Sequence, residues 1–276
     1  MSSMPARPAI KPDPYVPFKL AQREGWSHFG PLALFTTQAA ARLVRFAGVT
    51  AGRHVLDVGC GTGVVAITAA RQGAITTGAD LTPELIDQAK HSSEISRVTI
   101  DWRVADVEAL PFDDGSFDFV LSQFGHMFAP RPAVAISEML RVLKPGGTIA
   151  FSTWPPDHFI GRMFSLTARY APPPPPGASP PVLWGEPVFV REQLGDLVRD
   201  LTFDRDMMTV NTLSPEHMCY VMERTAGPVI KLVESSASSD PAKLEAFRSE
   251  FCALAGEYLE HNQVRQNYLM SRAIKK

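Results

Sequence analysis

Apolar positions along this chain change their period several times, and the changes cut it into short alternating segments. Within residues 22–46, Leu32, Leu34, Phe35, Ala39, Ala40, Leu43, Val44 and Phe46 recur at close to 3.6, which predicts a helix from about Pro31. Such a helix precedes the sheet and covers one end of it. Residues 48–52 break the pattern, 54–58 read as a strand, and a small-residue helix follows from Gly63 to about Gln72, closed by Gly73. A second strand over 74–79 finishes at Asp80. Thr82, Pro83 and Glu84 then supply an N-cap, a first-position proline and a first-turn acid for a helix to about His91. Residues 98–104 predict a third strand, again followed by an acid, Asp106, and the turn at 113–116 leads into a buried fourth strand over 117–122. Val134, Ile136, Met139, Leu140 and Leu143 form a helical stripe that Lys144-Pro145-Gly146-Gly147 stops, and 148–153 is a fifth strand. Strands alternating with helices imply βαβ units and a parallel, doubly wound α/β sheet.

Beyond Trp154 this rhythm fails. Residues 171–181 contain a run of prolines, which predicts a stiff polyproline-like loop crossing the surface in preference to a ligand for a partner domain. Residues 201–210 resemble a sixth strand, 215–225 and 242–258 look helical, and 266–274 return as a last strand. The expected organisation is an N-terminal arm over 1–30, a cofactor-binding core over 31–153, and a segment over 154–276 that ends the core sheet and carries the Pro-rich loop and a lid.

Composition narrows the function. The 276 residues are 45% hydrophobic and 20% charged with a net charge of -2, so no disordered or nucleic-acid-coating chain is indicated and no nucleic-acid partner is expected. Residues 1–17 are proline-rich without an apolar run. They read as a flexible or extended arm, neither a signal peptide nor a membrane span. Cys60, Cys219 and Cys252 are odd in number and far apart, which argues against a disulfide framework and a zinc site and makes a reducing cytoplasm the default. Cys60 reads as a small turn residue rather than a catalytic thiol, and the histidines show no paired metal-ligand spacing, so no metal is expected.

Candidate chemistry concentrates at the first strand's end. Gly59, Gly61 and Gly63 stand at alternate positions between that strand and a helix N-terminus, where φ > 0 and free N–H groups suit a nucleotide-like cofactor. Position 64 is Val, so the pyrophosphate fingerprint G-x-G-x-x-G is not met.

Five stretches in order strengthen the picture: Asp57-Val58-Gly59-Cys60-Gly61-Thr62-Gly63, Gly78-Ala79-Asp80-Leu81-Thr82-Pro83-Glu84, Ala105-Asp106-Val107-Glu108-Ala109-Leu110-Pro111-Phe112, Ser116-Phe117-Asp118, and the run from Glu138 to Gly147. Together, over roughly 55–154, they resemble the class I S-adenosylmethionine-dependent methyltransferases, in particular the ubiquinone/menaquinone-biosynthesis-like small-molecule group (methyltransferase type 11). The resemblance implies a Rossmann-like sheet, mostly parallel with an antiparallel last strand, plus a helical lid, and S-adenosylmethionine as cofactor. It implies that the glycine turn cradles the amino-acid end, that Asp80 holds the ribose hydroxyls, and that Asp106, with the Val107 N–H, recognises adenine while Leu81 packs on the ring. Asp57 holds the turn or the ammonium group; Gln123 and Phe124 face the cofactor; Cys60 belongs to the cradle.

Methyl transfer from a sulfonium asks the protein mainly to align and desolvate a nucleophile, with a general base needed only for a protonated acceptor. His126, after the fourth strand, is a candidate base, with a packed loop histidine as the equal alternative, and His28 is a second candidate. Phe159, Met163, Phe164, Tyr170, Trp184, Met218, Tyr220 and Met222 fall in the lid and suggest an apolar or aromatic small acceptor, although a lid core explains them equally well. A homodimer is left open. The rivals are an NAD(P)-dependent oxidoreductase and a non-catalytic cofactor-binding protein of the same fold.

Overall fold

The computed structural model describes residues 13–276; the arm expected over 1–17 lies largely outside the described residues. Its last part is not extended, because α1 (Val16–Trp26) starts there with Pro17 in its first turn. The helix expected from Pro31 is split into a 3-10 segment, Gly30–Thr36, and α2 (Thr37–Ala47), whose C-cap Gly48 takes φ 78°.

Five parallel strands follow: β1 (His54–Val58), β2 (Ile75–Asp80), β3 (Asp101–Val104), β4 (Phe117–Gln123) and β5 (Leu143–Thr153). They alternate with α3 (Val64–Arg71), α4 (Pro83–Ile95) and α5 (Pro132–Val142). The break at Lys144-Pro145-Gly146-Gly147 ends α5 as expected, yet pairing with β4 already begins at Leu143 opposite Phe117, with a register shift before Thr148 meets Phe119. After β5 the chain forms α6 (Phe159–Tyr170), an irregular proline-rich loop and α7 (Pro187–Leu194), then β6 (Val198–Asn211). Helices α8 (Pro215–Thr225), α9 (Gly227–Ser236) and α10 (Pro241–Tyr258) precede a two-residue strand β7 (Leu259–Glu260) and the long β8 (Gln263–Lys275).

The sheet runs β3-β2-β1-β4-β5-β8-β6, with β8 antiparallel to both neighbours. Strand order reverses between β1 and β4, so the carboxyl ends of these two strands open a crevice, the usual ligand position in such sheets. The lid over that crevice is built from α1, α6, α8 and α9. Helix α1 crosses α9 where Gly25 faces Gly227: a Cβ on Gly25 would stand 3.1 Å from the Gly227 Cα, so side chains are excluded from the crossing. Cys219 and Cys252, read as isolated, are brought together by α8 and α10 with their sulfurs 2.8 Å apart, a proximity that sequence spacing could not register. Among the described residues no helix is long and apolar enough to cross a membrane.

Candidate active site

Three glycines after β1 take left-handed φ values of 61°, 53° and 84° at positions 59, 61 and 63, for three different reasons. A Cβ on Gly59 would lie 2.8 Å from the Gly125 Cα, so the loops leaving β1 and β4 cross backbone against backbone. A Cβ on Gly61 would meet nothing within 4 Å, because this residue faces open cavity. A Cβ on Gly63 would press within 2.5 Å of the Trp102 ring, so Gly63 packs behind the turn and does not line the cavity.

The acids around this turn are buried. Asp57 is 1% exposed; its Oδ2 accepts from the Ala66 N–H at 3.0 Å, while its Oδ1 has no partner. Burial pushes its pKa up to about 8, against the pull of the Ala66 bond, and the neighbouring Asp80 charge adds to the rise. Asp80 accepts from the Gly61 N–H and, through its other oxygen, from the Thr82 N–H, both at 2.8 Å. Burial raises its pKa, and those N–H groups hold the rise back. Thr82 occupies the N-cap of α4 but its side chain makes no capping bond, and Asp80 instead holds the Thr82 N–H in the turn before the helix. Each carboxylate oxygen keeps further lone-pair capacity, so the same group can also accept from vicinal hydroxyls.

Asp106 is engaged differently. Its Oδ1 accepts from the Glu108 N–H at 2.9 Å and its Oδ2 from the Lys19 ammonium at 2.6 Å. Lys19, only 6% exposed on α1, also donates to Asp13 at 2.7 Å and Glu108 at 2.5 Å, and Arg131 pairs with Glu108 and Asp13. Burial opposes the Lys19 charge, but bonds to Asp106, Asp13 and Glu108 outweigh it and leave its pKa raised. The converging acids Asp13, Asp106 and Glu108 have the spacing of a cation site, and the Lys19 ammonium already bonds all three.

The crevice widens into a cavity of about 1480 Å³ including its mouth. Its lining runs from the strand-end acids Asp57, Asp80 and Asp106 across to Met163, Phe164 and Met222 of the lid. Asp57, Gly59, Cys60, Gly61, Asp80, Leu81, Asp106, Val107, Gln123 and Phe124 all line it. Gln123 donates from Nε2 to the Thr36 carbonyl at 2.9 Å, which leaves its buried Oε1 unpartnered. Phe124 holds φ 60°, strained for a non-glycine residue, and stacks on Trp154 with ring centroids 3.7 Å apart. Burial drives the Cys60 thiol well above its ordinary pKa, the opposite of what a nucleophilic thiolate needs.

Neither histidine is placed as a base. His126 borders the cavity, but both ring nitrogens are sealed and unpartnered, the ring packs between Phe151 and Trp184, and burial lowers its pKa to about 3. His28 is exposed and does not line the cavity. Of the lid residues named from sequence, Met163, Phe164 and Met222 line the cavity; Phe159, Trp184 and Met218 are core, and Tyr220 is 56% exposed. Sequence reasoning missed Lys19, Trp26 and Gln266 as lining residues.

A strand order of this kind, with a glycine turn, two acids at successive strand ends and an antiparallel penultimate strand, defines a Rossmann-like methyltransferase fold. The profile of a methyltransferase-domain family matches residues 56–151. An uncharacterized protein of Mycobacterium tuberculosis is 37% identical over 234 residues, covering 84% of this chain and 85% of its own length. A ubiquinone biosynthesis O-methyltransferase of Coxiella burnetii is 39% identical over 102 residues, 37% of this chain and 44% of that protein. The crystal structure of the YcgJ protein from Bacillus subtilis superposes with a TM-score of 0.57 at 17% identity, over 87% of this chain and 99% of that one. The chain belongs to the class I S-adenosylmethionine-dependent methyltransferases. Its cofactor is S-adenosylmethionine.

The residues present suit that cofactor. Two buried acceptors without partners, Asp57 Oδ1 and Gln123 Oε1, match an ammonium group with three donors, and the space above Gly61 is one that any side chain there would fill.

Proposed function

We propose that this methyltransferase acts on a small, largely apolar or aromatic molecule by in-line methyl transfer, with no protein general base. The observation that carries this reading is the division of the cavity. Its ionisable residues are Lys19, Asp57, Cys60, Asp80, Asp106 and the sealed His126, gathered around the β1, β2, β3 and β4 ends. Most of the remaining wall is apolar: Trp26, Met163, Phe164 and Met222 come from the lid, Met208 from β6, Phe35 from the 3-10 segment before α2 and Phe128 from the turn after β4.

Bound S-adenosylmethionine supplies the electrophilic methyl group. Asp57 and Gln123 hold the ammonium end, Asp80 accepts from the ribose hydroxyls, Asp106 and Val107 take the adenine edge, and Leu81 packs on the ring. The apolar wall strips water from the acceptor and restricts its orientation, which is where a displacement with a built-in leaving group gains most. A nicotinamide-dependent reading is not favoured, because the glycine turn lacks the pyrophosphate pattern and no hydride-transfer pair lies at the site.

The test is formation of S-adenosylhomocysteine with a panel of phenols, aromatic amines and carbon nucleophiles of one to three rings, against hydrophilic acceptors such as glycine and guanidinoacetate. Turnover confined to the apolar set supports the reading. Turnover confined to the hydrophilic set overturns it.

A further inference from the structure

Among the described residues, Gln266 is the carboxamide that β6 and β8 bring to the cavity lining. It stands on β8 opposite Met208 of β6, and its neighbours on the same face are Val264 and Tyr268, with Val210 across from Val264. The residue is 2% exposed, lines the cavity, and its Nε2 has no hydrogen-bond partner. A buried N–H without an acceptor costs folding free energy that a methionine or leucine at the same place would not. Among the described residues no partner uses its Nε2: the strand pairing runs through the backbone, and Met208 stands directly across from it. The amide borders the chamber while its Nε2 is buried without a partner, so a turn about the last side-chain torsion brings that donor to an acceptor atom that arrives with a ligand.

We propose that the Gln266 carboxamide reads an oxygen on the methyl acceptor, so that the acceptor is an apolar, ring-sized molecule bearing a hydroxyl or carbonyl rather than a bare hydrocarbon or alkylamine. This rests on the apolar-chamber reading above and adds to it the polar group and the residue that selects it. Gln266 acts in binding and orientation. A site built around such a donor penalises an analogue lacking the oxygen much more than an apolar wall penalises a missing methylene.

The test uses the full chain saturated with S-adenosylhomocysteine and three probes. 1-Naphthol presents a hydroxyl, 1-tetralone a carbonyl, and naphthalene neither. Binding is read from quenching of tryptophan fluorescence, since Trp26 and Trp154 line the cavity. The wild type is expected to bind at least one oxygenated probe about tenfold or more tighter than naphthalene, and the better of the two identifies the oxygen class. Gln266→Met should abolish that preference while raising the apo Tm by roughly 2–4 °C, the shift expected when about one buried unsatisfied group is removed from a domain of this size. Equal binding of all three probes by the wild type overturns the role of Gln266 but leaves the apolar chamber standing. A preference that survives Gln266→Met, or a lowered Tm in that variant, also overturns it, the latter by showing a partner for the amide in the folded protein. Failure of all three probes to bind overturns the apolar-chamber reading and this proposal with it. The wild-type comparison needs no variant to fold.

Discussion

Replacing Lys19 by Met removes a charge and keeps most of the side-chain volume, and its consequences can be worked from the ion cluster. In the wild type two cations, Lys19 and Arg131, face three carboxylates, Asp13, Asp106 and Glu108. Without Lys19 one cation remains and the cluster's net charge falls from -1 to -2. Glu108 is 1% exposed at its side chain and keeps Arg131, whereas Asp106 loses its cation contact and is 25% exposed. Breaking one partner out of a buried ion pair costs about 3–5 kcal/mol. Solvent access at Asp13 and Asp106 favours the lower end, about 3 kcal/mol. Because Lys19 belongs to α1, the loss can be spread over the whole domain or relieved by undocking that helix. The first route lowers Tm by about 6–12 °C, taking 2–4 °C per kcal/mol for a domain of this size. The second exposes the α1 amides to hydrogen exchange and opens the cavity at Gln22 and Trp26, two lining residues of that helix. Thermal unfolding and amide exchange on Lys19→Met, with Lys19→Arg as the charge-keeping control, distinguish the two. A variant with unchanged Tm and unchanged α1 protection would refute the view that this cluster fastens α1 over the cofactor end of the cavity.

Four further outcomes follow, three from the site and one from the contact between α8 and α10. Asp57 has a folded pKa raised to about 8, so the stability it contributes is present below the ordinary carboxylate range and is lost as pH climbs from about 4 to 8; Asp57→Asn should flatten that part of the stability profile. An ammonium on Asp57 Oδ1 favours the carboxylate, so cofactor binding at pH 7 should release close to one proton, and calorimetric enthalpies should differ between phosphate and Tris; identical enthalpies would place the ammonium elsewhere. Gly61→Ala meets no protein atom, so it should cost only the left-handed strain of roughly 1 kcal/mol in stability while reducing S-adenosylmethionine affinity tenfold or more; retained affinity by calorimetry would remove Gly61 from the cradle. Diamide should oxidise Cys219 and Cys252 to an intramolecular disulfide, read as a loss of two hydrogens by intact mass and its absence in Cys252→Ser, since the sulfurs lie 2.8 Å apart and Cys252 is partly accessible.

The cofactor half of the site was legible because each of its parts is decided locally. A left-handed turn needs glycine at 59 and 61, a strand ending on Asp80 places a carboxylate beside that turn, and Phe117–Gln123 announces itself by composition. Other parts depended on partners far along the chain. The buried residues of α1 are Lys19 and Gly25, which give no apolar stripe, and Lys19 finds its acids 87 and 89 positions away. His126 looks like a base in sequence because it follows the fourth strand at the ligand-binding edge of the sheet and an ordinary imidazole titrates near neutrality; only the packing of Phe151 and Trp184 around it turns it into a core residue. Glu138 and Arg141, read as part of a family signature, prove to brace the segment after Asp106, through bonds to the Leu110 N–H and to the Leu110 and Phe112 carbonyls. Gln266 did leave a signal. A glutamine between Val264 and Tyr268 on one face of an alternating strand is a polar residue at a core position, and such a residue asks for a partner.

The acceptor half has a different logic. Its wall draws a few residues each from α1, α6, β6, α8 and β8, spread from Trp26 to Gln266, and no short motif can encode an arrangement assembled over that span. In the proposed reading the cofactor is held by strand ends of one sheet, whereas the acceptor wall is mostly helices resting on that sheet. A change of acceptor therefore requires only new side chains on the lid and on the inner face of β6 and β8, with the turn at Gly59–Gly61 and the acids at 57, 80 and 106 left as they are. Relatives sharing the cradle but differing at Gln266, Met208 and Met222 should accordingly bind S-adenosylmethionine alike and select different acceptors, and exchanging those three side chains between two such proteins should move acceptor preference without moving cofactor affinity.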